Sequence, residues 1–310
     1  MKAKTIGKRV FSLVLTTIML ISCWVFVAPQ ADAATAGTYT VKVRMYCVGG
    51  DSADCDDNDG VRIYMDTTNK NGDGSSSKND LQFPGGGKSS TWKDVVQGGA
   101  DKTEQLTTSA GYFPTNIDLK IDFDSGGWRS AKLHLKVFIG NTEIYDSGDF
   151  DIGGGELWSH QVVWKSFGID SSKYPKATSA DSFSVSNVTI PTSGSTTTTA
   201  SIGTVRDQYG VSWYQDGNGL DFTTPTGVSA SGKVITVSSS AMLSSSPFYK
   251  DTEVKPKCGS VVLSNSVTWR ITNPTYTVTW HWHKNGDASS TWSGSTTSTG
   301  IYYNQTPSVP

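Results

Sequence analysis

The chain has 310 residues, with 26 Lys and Arg against 28 Asp and Glu, which gives a formal net charge of −2. This balance, without basic clusters, argues against nucleic acid as a partner, because binding phosphates requires concentrated Lys and Arg. Gly, Ser, Thr, Trp and Tyr are abundant, and no long segment has the apolar spacing of a helix. The composition therefore predicts an all-β protein of two or three domains.

Residues 1–33 have the order of a secretory signal peptide. Basic residues at the start precede an apolar run, Val10 to Ala28, and Ala31-Asp32-Ala33 supplies the small residues of a cleavage site. The run is about as long as a membrane span, so an uncleaved anchor is the competing interpretation. We predict cleavage after Ala33, which leaves 22 Lys and Arg against 27 Asp and Glu. The mature protein is then extracellular, and it meets a membrane only through its signal peptide.

Residues 34–168 alternate in the way that two-sided strands do. In the clearest run every second residue of 131–139 is apolar, and the residues facing the other way from 132 to 136 are Lys or His. Turn-forming segments such as Asn69–Gly74 separate these runs. Many short strands between turns predict a β-sandwich or barrel for this block.

The next segments predict a linker and a second sandwich. Residues 169–182 are polar around Tyr174-Pro175 and predict the linker. The Thr-rich run 192–201 is compatible with a disordered spacer, but threonine favours strands, and we predict an edge strand there. The strands and turns of residues 183–273 suit an immunoglobulin-like sandwich, although the Cys-Trp-Cys spacing of antibody domains is absent.

A third unit begins near residue 274. Tyr276, Val278 and Trp280 alternate with threonines, as in a strand with one apolar face. The chain ends about 35 residues into this unit, which is short for an independent core. We therefore predict an incomplete β-repeat in residues 274–310, and the sequence is compatible with the front part of a longer protein.

Two segments resemble modules of bacterial surface proteins. Residues 183–272 resemble a bacterial Ig-like surface domain through the motifs Val205-Arg206-Asp207-Gln208-Tyr209-Gly210, Pro225-Thr226-Gly227-Val228-Ser229 and Lys257-Cys258-Gly259-Ser260. Residues 275–310 resemble the start of an internalin-type B repeat through Tyr276-Thr277-Val278-Thr279-Trp280 and Tyr302-Tyr303-Asn304-Gln305-Thr306-Pro307. The first resemblance implies stalk and adhesive modules, and the second implies small β-rich modules that occur in tandem.

The first block resembles a PLAT-type β-sandwich. The similarity lies in Tyr39-Thr40-Val41-Lys42-Val43 and in Asp122-Phe123-Asp124-Ser125-Gly126-Gly127-Trp128 before the strand at Leu133. This resemblance implies a domain that binds lipid or protein partners, in some cases with calcium. An unclassified jelly roll is the alternative fold.

The densest acidic feature is a candidate calcium site. It lies before Gly60, and its proposed ligands are Asp54, Asp56, Asp57 and Asp59. Calcium takes six to eight oxygen ligands, which closely spaced carboxylates can supply. The loop lacks the spacing and the closing Glu of an EF-hand, so a solvated acidic loop is the alternative. Asn69, Asn71 and Asp73 form a weaker candidate, for which a plain turn is the alternative. No cofactor other than calcium is predicted.

Three cysteines remain after the signal peptide is removed. Because export favours disulfide formation, we predict a disulfide between Cys47 and Cys55. We predict that Cys258, which precedes a core strand, is a buried apolar residue rather than a reactive thiol.

The aromatic residues of the first block are candidates for ligand binding. The residues are Trp92, Trp128 and Trp158, with Trp164 and Tyr112 as further members of the set. Exposed indole rings can stack on sugars or enter an interface. The alternative is that most of them belong to the sandwich core. We expect His281 and His283 to be exposed side chains opposite Trp280 and Trp282.

The sequence contains no recognisable catalytic set. Its four glutamates lie on separate turn-rich segments, and neither a Gly-x-Ser-x-Gly elbow nor a phosphate-binding loop is present. We predict a non-enzymatic, secreted bacterial cell-surface protein with a structural and adhesive role. Its first sandwich is expected to bind a host or cell-wall glycan or a surface protein. The alternative is the non-catalytic carbohydrate-binding portion of a larger secreted glycoside hydrolase.

Overall fold

The computed structural model describes residues 35–49, 60–71, 76–83, 101–123, 127–157, 161–282 and 294–307. These residues form β-strands, turns and two single-turn 3-10 helices, Ser171–Lys173 and Ser239–Ala241. The predicted all-β fold class is therefore confirmed. Within the described ranges, no helix is long and apolar enough to cross a membrane.

The first block is a sandwich of two four-stranded sheets. The strands are β1 (Thr40–Gly49), β2 (Gly60–Asn69), β3 (Ser76–Gln82), β4 (Lys102–Thr107), β5 (Tyr112–Phe123), β6 (Gly127–Ile139), β7 (Thr142–Leu157) and β8 (Gln161–Gly168). One sheet has the order β4-β1-β6-β7 and the other β3-β2-β5-β8. Every neighbouring pair is antiparallel.

The period-two pattern of the sequence produces the core of this sandwich. Alternate residues of the strands point inward and are fully buried, among them Val41, Val43 and Met45 on β1, Leu133, Leu135 and Val137 on β6, Ile63 and Met65 on β2, and Ile117 and Leu119 on β5. Each such aliphatic side chain contributes about 1.5–3 kcal/mol when it leaves water. The intervening residues form the two outer faces of the sandwich.

The second unit consists of short strands in several small sheets. The strands are β9 (Ala177–Ala180), β10 (Phe183–Ser184), β11 (Val188–Thr189), β12 (Ser195–Thr199), β13 (Ser201–Ile202), β14 (Val205–Asp207), β15 (Gly219–Asp221), β16 (Val228–Ser231), β17 (Val234–Ser238), β18 (Tyr249–Cys258), β19 (Val261–Val262) and β20 (Val267–Thr272). The larger sheets have the orders β11-β20-β18-β15 and β12-β17-β16. Strand β9, from the predicted linker, pairs with β14.

Two predictions about single elements of this unit are confirmed. The Thr-rich run forms β12, which is an edge strand of its sheet. Cys258 is buried, as predicted, and burial raises the pKa of its thiol. The core of the unit contains Trp269, which is fully buried and whose Nε1 donates to the Ser186 carbonyl at 3.0 Å.

A buried polar joint connects the first sandwich to the second unit. The Tyr39 hydroxyl donates to Asp207 Oδ2 at 2.6 Å, and Asn71 Nδ2 donates to the Ser212 carbonyl. Asp207 Oδ1 accepts from the backbone N–H groups of Tyr209 and Val211, at 2.9 and 3.0 Å. Asp207 therefore stabilises its own turn through Oδ1 and binds Tyr39 of the first sandwich through Oδ2.

Aromatic packing reinforces this joint. The Phe113 ring stacks on Tyr209 at 5.5 Å between centroids, and it meets Tyr39 edge to face at 5.3 Å. Tyr174 contacts Phe113 from the segment between the two units. Pairs of this geometry each stabilise the folded state by about 0.5–1.5 kcal/mol beyond their buried area.

The third unit is an antiparallel hairpin of β21 (Thr275–Trp282) and β22 (Gly294–Tyr302). The buried side chain of Asn273 is one of its connections to the second unit. This side chain accepts from the Leu243 N–H and donates to the carbonyls of Leu243 and Tyr303. His281 is exposed, as predicted, while His283 lies outside the described residues.

Candidate ligand-binding face

Most of the predicted site residues lie outside the described part of the chain. This holds for the four proposed calcium ligands Asp54, Asp56, Asp57 and Asp59, for Trp92 and Trp158, and for Cys55. Trp128 lies on β6, but its side chain is likewise outside the described part. The calcium site and the Cys47–Cys55 bridge therefore stay predictions. Within the described residues, no three His, Cys, Asp or Glu side chains form a group that could hold a metal ion.

The outer face of the sheet β3-β2-β5-β8 carries a different set of exposed aromatic and polar side chains. The register places Tyr64 beside Asp118 and Asp118 beside Ser166, in one row across β2, β5 and β8. The adjacent row contains Arg62, Lys120 and Trp164. We call these six residues, together with Asn116, the β2-β5-β8 face. Their opposite-facing neighbours Ile63 and Leu119 are fully buried, which fixes the outward direction of the set.

Trp164 is the dominant apolar group of the β2-β5-β8 face. Its side chain is 52% exposed, although tryptophan is usually among the more buried residues. The indole lies 5.9 Å from the Tyr64 ring, with 31° between the two planes, so the rings form a tilted aromatic platform above β5. Val162 is also exposed and lies two residues before Trp164 on the same side of β8.

A connected trio of polar side chains lies beside the aromatic platform. Asn116 Nδ2 donates to Asp118 Oδ1 at 2.6 Å and to Ser166 Oγ at 2.8 Å. Ser166 Oγ also lies 2.6 Å from Asp118 Oδ1, to which it donates. Both donors use the same carboxylate oxygen, so Oδ2 of Asp118 is outside the trio. The trio therefore holds oriented hydroxyl and carboxylate groups next to the two rings.

The charges of the β2-β5-β8 face are mixed. The Lys120 ammonium lies 5.9 Å from the Trp164 ring centroid, within the range of a cation–π contact. Arg62 provides a second positive charge, and Asp118 provides a negative charge in the adjacent row. Opposite charges at this spacing largely cancel at distances beyond about 8–10 Å in physiological salt. The face therefore does not favour a strongly charged partner.

The outer face of the other sheet is organised differently. Both ring nitrogens of His134 contact carboxylates, those of Asp146 and Asp149, and the imidazole stacks on Tyr46 at 4.8 Å. Lys136 is paired with Glu143 and Asp146, at 3.0 and 2.7 Å. The Lys136 ammonium and then the Gly148 N–H lower the pKa of Asp146 to about 2. These polar groups are thus paired with one another within the protein.

The sequence indicated only one member of the β2-β5-β8 face. Trp164 belongs to the set of candidate aromatic residues because the first block contains more of them than a small sandwich core usually requires. Tyr64, Asp118 and Ser166 come from three strands that are distant in sequence, and only the register brings them together. No local signal in the chain reveals that pairing.

Comparison of the chain with protein families, with curated proteins and with solved structures finds no match. The resemblances to an Ig-like surface domain, an internalin-type repeat and a PLAT-type sandwich therefore stay predictions from sequence motifs.

Proposed function

We propose that this protein is a secreted bacterial cell-surface protein with a structural and adhesive role. The β2-β5-β8 face of its first sandwich is the ligand-binding surface, and the later units serve as a spacer and as further surface modules. The leader, the resemblances of residues 183–272 and 275–310, and the all-β architecture support this proposal.

The observation that carries the proposal is the exposure of Trp164 within an ordered polar setting. A half-exposed indole costs free energy in water, because its apolar surface is left uncovered. A ligand that covers the ring recovers this free energy. The Asn116-Asp118-Ser166 trio adds directional hydrogen bonds, so a ligand would bind in one orientation with little rearrangement of the protein.

The second candidate function is the carbohydrate-binding portion of a larger secreted glycoside hydrolase. The pairing of Trp164 and Tyr64 with hydroxyl-binding groups favours this candidate as much as it favours adhesion, since both functions require a ligand surface. The gene sequence beyond the codon for residue 310 distinguishes the two candidates. Further repeats or a wall anchor encoded there support adhesion, whereas a catalytic domain supports the hydrolase.

The proposal is tested by fractionating the producing bacterium and adding purified residues 34–310 to its isolated cell walls and to cultured host cells. We expect the native protein at the cell surface, and we expect the purified chain to bind walls or host cells. A cytoplasmic location, or no binding to either surface, would contradict the proposal. Trp164→Ala should weaken this binding, and Trp282→Ala is its matched control, because Trp282 is also 52% exposed but lies on the hairpin of the third unit.

A further inference from the structure

We infer that the β2-β5-β8 face binds a neutral glycan, by stacking of a pyranose ring on Trp164 and Tyr64 and by hydrogen bonds to the Asn116-Asp118-Ser166 trio. The inference rests on the proposed function, and it narrows the ligand of the same surface from glycan or protein to an uncharged sugar polymer.

The chemistry of the two rings suits the apolar face of a sugar. A pyranose ring has a C–H-rich face, which packs on an aromatic surface, and an edge of hydroxyl groups. The Tyr64 and Trp164 centroids are 5.9 Å apart and the planes are tilted by 31°, so one sugar ring can contact both aromatic rings. Val162 extends the apolar strip along β8 beyond the indole.

The polar trio is placed to bind the hydroxyl edge. Asp118 lies between Tyr64 and Ser166 in the row next to Trp164. Residues two apart on a strand are about 6.5–7 Å from each other, which is therefore the distance from the row of Trp164 to the row that contains Asp118 and Ser166. Asp118 Oδ2, which is outside the trio, can accept from a sugar hydroxyl, and Ser166 Oγ can accept from a second.

Charge argues against an acidic glycan. Lys120 and Arg62 would attract a carboxylated or sulfated sugar, but the Asp118 carboxylate lies in the adjacent row and would repel it. The Lys120 ammonium also contacts the Trp164 ring. A neutral sugar meets the same groups without this repulsion, because hydroxyls both donate to Asp118 and accept from Lys120.

The alternation of groups argues against a protein partner. Interfaces between proteins place aromatic anchors in a dehydrated apolar centre and polar groups at the rim. On the β2-β5-β8 face the aromatic and polar groups instead alternate from strand to strand within each row: Tyr64 is next to Asp118, and Trp164 is next to Lys120. A ligand dense in hydroxyl groups matches this alternation.

The test is isothermal titration calorimetry and affinity electrophoresis of residues 34–310 with three soluble probes. The neutral probes are cello-oligosaccharides and oligomers of N-acetylglucosamine, and the acidic probe is polygalacturonate. We expect at least one neutral probe to bind, with an affinity that changes less than about twofold between about 0.05 and 0.5 M NaCl. Trp164→Ala should weaken this binding about tenfold or more, and Trp164→Phe should restore part of it.

Asp118→Asn separates hydrogen bonding from stacking, because it removes the charge and keeps the shape. We expect it to weaken binding of the neutral probe several-fold, whereas it should strengthen any binding of polygalacturonate. Trp282→Ala should bind like the unchanged protein. Circular dichroism of each variant confirms that the sandwich is folded before its affinity is compared.

Three results would overturn the inference. They are binding of polygalacturonate alone, equal affinities of the Trp164→Ala variant and the unchanged chain, and no binding of either neutral probe. If cell walls or host cells still bind the chain after the first or the third result, the proposed function survives and the partner is an acidic glycan or a protein. If they bind it although Trp164→Ala keeps its affinity, the adhesive role survives but the ligand-binding surface lies elsewhere on the protein. If they do not, the proposed function fails together with the inference.

Discussion

Replacing Tyr39 by phenylalanine should destabilise the protein at the joint between its first two units. The Tyr39 hydroxyl is buried and donates to Asp207 at 2.6 Å, and Asp207 is only 2% exposed. Burial, with the Asp207 carboxylate as the next cause, raises the pKa of this phenol, so it remains a donor at all working pH values. A hydrogen bond to a buried charged group stabilises a protein by about 1.5–3 kcal/mol.

The change Tyr39→Phe removes this bond without altering the packed ring. We therefore expect the free energy of unfolding to fall by about 1.5–3 kcal/mol, which corresponds to a decrease in Tm of roughly 3–10 °C for a chain of this size. Urea unfolding of residues 34–310, followed by tryptophan fluorescence, measures the change. Tyr276→Phe is the control, because Tyr276 is 41% exposed and its hydroxyl should contribute nothing measurable.

A double-mutant cycle with Asp207→Ala identifies the partner. In the Asp207→Ala background the hydroxyl has lost its acceptor, so Tyr39→Phe should cost less than it does in the unchanged protein. If Tyr39→Phe changes stability by less than about 0.5 kcal/mol, or costs the same in both backgrounds, then the two units are not held together by this bond and the described joint is wrong.

The remaining predictions concern the pH dependence of stability, the core of the second unit and calcium. Burial raises the pKa of Asp207 above its usual value, so the contribution of Asp207 to the free energy of unfolding is present below pH 3.8 and is lost as the pH rises through the folded-state pKa. The Asp207→Asn variant should lack this loss between about pH 3 and 7. If its free energy of unfolding changes with pH as steeply as that of the unchanged protein, the prediction is wrong. Asp146, with its pKa lowered to about 2, has the opposite sign, and Asp146→Asn should remove stability that is present above pH 3.8 and lost as pH falls toward 2. Trp269→Ala should lower the free energy of unfolding by about 3–5 kcal/mol because the side chain is fully buried, while Trp282→Ala should change it by less than about 0.5 kcal/mol. Similar losses in the two variants would show that Trp269 is not in the core of the second unit. The calcium hypothesis predicts that a chelator lowers the Tm of residues 34–310 and that Asp56→Asn with Asp59→Asn abolishes the response; a transition that chelator does not move refutes it.

The fold could be predicted in large part from local patterns. Every second residue from Leu133 to Ile139 is apolar and faces the core of the sandwich. Successive side chains on a strand point to opposite faces of the sheet, and this alternation does not depend on which strand lies next to it. The Thr-rich segment forms β12 because β-branched residues favour the extended backbone and an edge strand tolerates a polar face. These features depend only on neighbours in sequence.

The β2-β5-β8 face and the joint could not be predicted in this way. Both depend on pairs that are distant in sequence. The segment around Asp207 carries one of the sequence resemblances, but the bond from Asp207 to Tyr39 spans 168 positions of the chain. Trp164 was a candidate aromatic residue, but its exposure and its proximity to Tyr64 depend on the register of β2, β5 and β8. A register is fixed by the whole sheet, and no single strand contains that information.

The outer face of β2, β5 and β8 is the surface at which we propose that the protein binds its ligand. Hydroxyl-radical footprinting of residues 34–310, with and without the isolated cell-wall fraction that binds it, tests this claim most directly. We expect protection of Tyr64 and Trp164 in the bound state, while Trp282, which is as exposed as Trp164, stays reactive. Full reactivity of Tyr64 and Trp164 in the bound state, with protection confined to another surface, would contradict it.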